Sequence, residues 1–213
     1  MTNETDRNSA YSALLAYFAG PNANSLNPIK HPDKTVNLQA SRDKHTYREA
    51  AVLLPITRHG NGSQSELVLT VRSANLKSHA GQISLPGGTR EEQDPDFETT
   101  ALRESEEEIG LRPDQVEVIG KLGDMSLPSG FLITPFVGLI DSDLVFTPSP
   151  DEVADIFQAP LELILDPSAY RHSTMLFDNS ERAILELMFE DYRIWGATAA
   201  ILYHLALEVE KHR

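Results

Sequence analysis

The chain has 213 residues, of which 40% are hydrophobic, enough for one sizeable domain with an apolar core. Eighteen lysines and arginines stand against 32 aspartates and glutamates, and the net charge of −14 opposes non-specific binding to nucleic acid or anionic lipid. There is no cysteine, so disulfides, thiolate metal sites and a cysteine nucleophile are excluded.

No apolar run is long enough to cross a bilayer, and the polar stretch Met1–Arg7 does not lead into a secretory signal. The expected setting is cytoplasmic. Residues 8–19 (NSAYSALLAYFA) predict a short amphipathic helix. Residues 20–48, rich in Asn, Pro, Lys and Asp, predict an extended lead-in. The apolar run 50–56 (AAVLLPI) reads as a buried strand, 59–64 (HGNGSQ) as a turn and 66–72 (ELVLTVR) as the partner strand of a hairpin. Residues 73–88 read mostly as loop, with a short strand near Gln82–Leu85. Asp94 as N-cap and Pro95 at the first helical position predict a helix over Phe97–Ile109, stopped by Gly110. Strands are expected at 115–122 and 132–140, a helix or turn at 149–158, a short turn at 160–165, and a helical tail over Asp191–Lys211. Without repeats or a composition break, one α+β domain is the simplest organisation. It divides into an N-terminal helix and lead-in over 1–48 and a main body over 49–213. Residues 1–48 would cap the core or contribute to a homodimer.

The chemistry concentrates in Arg103-Glu104-Ser105-Glu106-Glu107-Glu108-Ile109-Gly110-Leu111. Helical residues three and four apart share a face, so Glu104 stands beside Glu107 and Glu108. Three crowded carboxylates repel one another, and a hard divalent cation such as magnesium would relieve that repulsion. A run of this kind also occurs on solvated helices, where Glu is simply a good helix former. The flanks separate the two readings. A Pro86-Gly87-Gly88 turn precedes the helix and Gly110 closes it, and glycines let backbone approach a phosphate or a metal.

Together these segments resemble the Nudix box, G-x5-E-x7-R-E-U-x-E-E-x-G-U, with Arg103, Glu104, Glu107, Glu108, Gly110 and Leu111 on its fixed positions. Two positions depart from it. The spacing from Gly88 to Arg103 is one residue longer, so that Asp94 best matches the early acid, and Ser105 replaces the aliphatic residue. The resemblance implies a Nudix fold, a mixed sheet sandwiched between helices, and a hydrolase dependent on Mg²⁺ or Mn²⁺. It implies Glu104, Glu107 and Glu108 as metal ligands, with a backbone carbonyl of Gly87 or Gly88 beside them. Arg103 would orient a helix carboxylate by a charge-assisted bond.

Upstream, Leu67 to Arg72 and Ser73, then Lys77, Gly81 and Leu85-Pro86-Gly87-Gly88, resemble the signature of the coenzyme A pyrophosphatase branch, LLTxR-S-x3-R-x3-G-x3-FPGG. Lys77 stands for Arg and Leu85 for Phe. Lys77 keeps the charge but loses the bidentate fork. Segments 129–138, 150–157 and 194–202 look like downstream landmarks of that branch, so the likeness spans about residues 50–202. It implies cleavage of coenzyme A to 4′-phosphopantetheine and adenosine 3′,5′-bisphosphate. Arg72, Lys77, His79, Gly87 and Gly88 would contact substrate. Alone, Arg72 and Lys77 would read as surface residues and His79 as a loop histidine bonded to backbone. Glu152 is a candidate fourth carboxylate, for metal or water, with helix capping as its alternative reading. Trp195-Gly196 reads as core packing in the last helix. ADP-ribose, NADH or a nucleoside triphosphate remain alternative substrates, and a non-catalytic binding module an alternative class.

Overall fold

The computed structural model describes residues 9–21, 26–37, 47–58, 64–76, 78–177 and 180–211. A mixed sheet forms its centre. Strand β1 (Arg48–Thr57) lies parallel to β7 (Phe131–Ile140) over its full length, and β5 (Glu117–Lys121) adds antiparallel to β7. Strand β2 (Glu66–Arg72) meets β1 only at Ile56↔Leu67 and then splays away. Two short strands fill the wedge, β3 (Ile83–Ser84) pairing with β2 and β4 (Gly87–Thr89) pairing with β1. Strand β6 (Met125–Ser126) pairs with β7, and β8 (Val153–Pro160) runs antiparallel to β2 at its outer edge.

Alternating side chains send Ala51 and Leu53 to one face of the sheet and Leu54 and Ile56 to the other. The first face is covered by α2 (Phe97–Ile109), whose Ala101 and Ile109 are fully buried there. The second carries α1 (Ser9–Ala19), the single turn α3 (Leu161–Ile164) and α4 (Gly196–Glu210). An antiparallel sheet of β9 (Arg171–Phe177), β10 (Ser180–Phe189) and β11 (Tyr192–Trp195) joins that face. Ala10, Leu14 and Tyr17 of α1 lie in the same cluster as Leu202 and Leu205 of α4. Helices therefore flank both faces of a mixed sheet. No helix among the described residues is long and apolar enough to cross a membrane.

Several local expectations are corrected. Asp94 does not cap α2. Asp96 does, its carboxylate accepting from the Thr99 N–H at 2.8 Å, so Pro95 precedes the helix. Residues 153–158 are strand, because β2 offers them a full antiparallel partner that outweighs a helix-compatible composition. The helical tail begins at Gly196, since residues 192–195 pair with β10. Trp195 is accordingly the half-buried last residue of β11 and the N-cap of α4, outside the helix interior. The Pro-Gly-Gly turn continues directly into β4. The lead-in contains a helical turn at 34–37 and a bridge from Ile29 to Met125. Residues 59–63 of the turn expected at 59–64, and Lys77, lie outside the described residues.

Candidate active site

The wedge between β1 and β2, with the second half of α2 beside it, brings Arg72, Gly87, Gly88, Glu104, Glu108 and Glu152 together. Gly87 and Gly88 line it. The Gly87 N–H donates to Glu108 Oε2 at 3.1 Å, bonding the far end of α2 to β4. Gly87 has φ +150°, and any side chain on it would collide with the Ala51 carbonyl oxygen. A Cβ on Gly88 would lie 2.5 Å from a Glu104 carboxylate oxygen. Both glycines are therefore required by close approach, one to backbone and one to a carboxylate.

The acidic residues of α2 separate by environment. Burial pushes Glu108 up to about 7, against the opposing Gly87 hydrogen bond and Arg72, while Glu104 and Glu152 push it further up. Glu104 is also raised, first by burial, with Arg103 opposing and Glu107 and Glu152 adding to the rise. Glu152, exposed just before β8, thus acts on both across the wedge. Its carbonyl accepts from the Ser73 N–H at 2.8 Å, fixing the turn before β8 against the end of β2. Glu107 is 58% exposed and ion-paired with Arg103 at 3.2 Å.

Arg103 is the hub. Its Nη2 lies 3.0 Å from Glu104 Oε1 and donates to the Thr89 carbonyl at 3.2 Å, and two of its nitrogens hold Asp94. Asp94 is only 2% exposed, and it also accepts from the Thr100 hydroxyl and the Glu91 N–H. Sequence reasoning left Asp94 as a displaced box acid and assigned it to capping. Its real partner, Arg103, lies nine residues on, and the shared box position was the available signal.

Arg72 ends β2 close enough to Glu108 to favour its ionised form, and its buried Nε has no hydrogen-bond partner among the described residues. His79, at φ 59°, is exposed and its Nδ1 lies 3.0 Å from Gln82 Oε1. The Gly81 N–H and the Gln82 carbonyl bond Arg72 backbone, so this loop folds back onto the end of β2.

A NUDIX domain model matches residues 46–177 of the chain. The chain is also 39% identical over 171 residues to the uncharacterized Nudix hydrolase NudL of Escherichia coli O7:K1, covering 80% of this chain and 88% of that protein. The NudL of Shigella boydii serotype 18 matches with the same identity and coverage. The chain belongs to the Nudix hydrolase family. Among solved structures, the Mycobacterium smegmatis Nudix hydrolase RenU is similar with a TM-score of 0.46 and 21% identity, over 55% of this chain and 73% of that one.

Nudix hydrolases generally use divalent metal ions, and the side chains of this wedge suit one in donor chemistry. Every acidic donor is a carboxylate oxygen, Glu108 buried and Glu104 half-buried, and burial first, with neighbouring carboxylates adding, raises both. Among the described residues, no three histidine, aspartate or glutamate side chains stand together at metal-ligating distance. Glu104 and Glu108 line the wedge, whereas Glu107 is turned outward onto Arg103.

Proposed function

We propose that the protein hydrolyses the diphosphate bond of coenzyme A or its derivatives, giving 4′-phosphopantetheine and adenosine 3′,5′-bisphosphate. The observation that carries this reading is Arg72. A half-buried guanidinium with an unspent Nε–H stands against the acidic wedge, on the segment that resembles the coenzyme A branch signature. A diphosphate oxygen is the acceptor that such a group matches best.

Glu104, Glu107 and Glu108 would hold the metal. What Mg²⁺ or Mn²⁺ supplies when bound is neutralisation of the diphosphate and activation of water. Arg103 is ion-paired with Glu104 and Glu107 and would orient both carboxylates. Gly87 and Gly88 would contact the substrate through their backbone. One carboxylate of the group Glu104, Glu107, Glu108 and Glu152 takes the proton of the attacking water. Water adds to one phosphorus, the bridging P–O bond breaks, and the other phosphate leaves with the bridging oxygen. Lys77 is assigned to the substrate's anionic groups on the branch signature, and His79 as a neighbour of the same basic cluster.

Incubation with coenzyme A, ADP-ribose and NADH separately, with and without Mg²⁺ or Mn²⁺, tests the reading by product chromatography. Metal-dependent release of adenosine 3′,5′-bisphosphate from coenzyme A is expected. Cleavage of ADP-ribose or NADH in its place would keep the hydrolase and overturn the substrate.

A further inference from the structure

Arg48 and Phe131 open the parallel strands β1 and β7 side by side. The Arg48 guanidinium lies over the Phe131 ring, 4.0 Å from its centroid, and its backbone N–H donates to the Gly130 carbonyl at 2.9 Å. Arg48 shares the parity of Leu54 and Ile56, so it projects from the face of the sheet opposite α2. Along β1 it stands three residues from Ala51, the partner of Gly88, roughly 10 Å at the rise of a strand. Strand β3 pairs with β2 and β4 with β1, so the chain passes from one strand to the other between Ser84 and Gly87.

Arg58, Arg90, Arg103, Arg112 and Arg193 all have carboxylate partners. Arg48 is exposed and has none among the described residues, although the chain carries a net charge of −14. A guanidinium held over a ring by its charge still has N–H groups to offer an anion. The ring also restricts the side chain, so less entropy is lost when the anion binds.

Resting on the diphosphatase reading above, we propose that Arg48, braced by Phe131, is a specificity-determining residue that binds the phosphate monoester at the nucleoside end of the substrate. In coenzyme A this group is the 3′-phosphate. The diphosphate would lie by Glu104 and Glu108, with the nucleoside end reaching past β4 to the start of β1.

The test titrates the full-length protein and its Arg48→Ala, Arg48→Lys and Phe131→Leu variants with adenosine 3′,5′-bisphosphate and with adenosine 5′-monophosphate. Steady-state turnover of coenzyme A and dephospho-coenzyme A is measured in parallel. Wild-type protein is expected to bind the bisphosphate more tightly. Arg48→Ala should lose about tenfold more affinity for the bisphosphate than for the monophosphate, the scale of one charge-assisted hydrogen bond. Arg48→Lys should keep part of the preference, and Phe131→Leu should weaken it. Equal losses on both ligands, or no preference in the wild type, would overturn the proposal and leave Arg48 as a strand-end packing residue. Failure of the wild type to cleave coenzyme A would overturn the diphosphatase reading, while the binding comparison would still decide the role of Arg48.

Discussion

Arg103 grips Asp94 with two parallel bonds, Nε to Oδ1 and Nη2 to Oδ2, both 3.0 Å long. The pair ties the loop before α2 to the middle of that helix. The same guanidinium contacts Glu104 and Glu107, so a change at Asp94 is transmitted to two proposed metal ligands.

Asp94→Ala leaves Arg103, 18% exposed, without its main partner. A loss on the order of 3 kcal/mol in urea unfolding is expected, the lower end for breaking a buried pair. The hydrogen bonds to Arg103 hold the Asp94 carboxyl well below the usual carboxylate range. The folded state therefore binds fewer protons than the unfolded state as acid is added. This contribution is present above about pH 4 and is lost as the pH falls further. Asp94→Asn should flatten the acid limb of the stability profile; an unchanged limb would show that the pair contributes little.

Glu108 is costly while its charge is uncompensated. In metal-free protein near pH 8, Glu108→Gln should raise Tm by about 2–4 °C, corresponding to roughly 1 kcal/mol for a chain of this size. Adding Mg²⁺ or Mn²⁺ should raise the Tm of the wild type and leave that of Glu108→Gln nearly unmoved. Equal metal-induced shifts in both proteins would remove Glu108 from the ligand set.

The adjacent glycines should behave differently. The obstacle at Gly88 is the movable end of Glu104, so Gly88→Ala should fold with a Tm close to wild type and lose at least about tenfold in turnover. The obstacle at Gly87 is backbone, at a φ that L-residues rarely adopt, so Gly87→Ala should be destabilised by about 2 kcal/mol or more. Thermal melts combined with assays separate the two, and full activity in Gly88→Ala would mean that Glu104 need not stay where it lies.

Glu107 is mostly exposed, so its removal should cost little stability. Glu107→Gln is expected to abolish most turnover with an unchanged melting curve. A near wild-type rate would withdraw Glu107 from catalysis.

Arg72→Ala should raise KM for the diphosphate substrate about tenfold or more, with Arg72→Lys recovering only part because the fork is lost. Steady-state kinetics on coenzyme A provides the measurement, and a KM unchanged in both variants would exclude the contact.

The sequence by itself determined α2. The Asp94-Pro95 start signal, two residues early for the cap, and Gly110 placed the helix at Phe97–Ile109, and the box singled out Glu104, Glu107 and Glu108 as candidate ligands. It also marked β1, β2, β5 and β7, whose apolar runs carry their own signal. Partners distant in the chain decided the rest. Residues 153–158 could form helix or strand until β2 supplied hydrogen bonds, and residues 192–195 were claimed by β10. A linear reading gives the cap to Asp94. Only the folded chain, by bringing Arg103 onto Asp94, left Asp96 to cap the helix. The splayed wedge that gathers Glu104, Glu108, Glu152 and Arg72 was likewise invisible in sequence. It depends on where β2 leaves β1, and pairing register is a property of two strands at once.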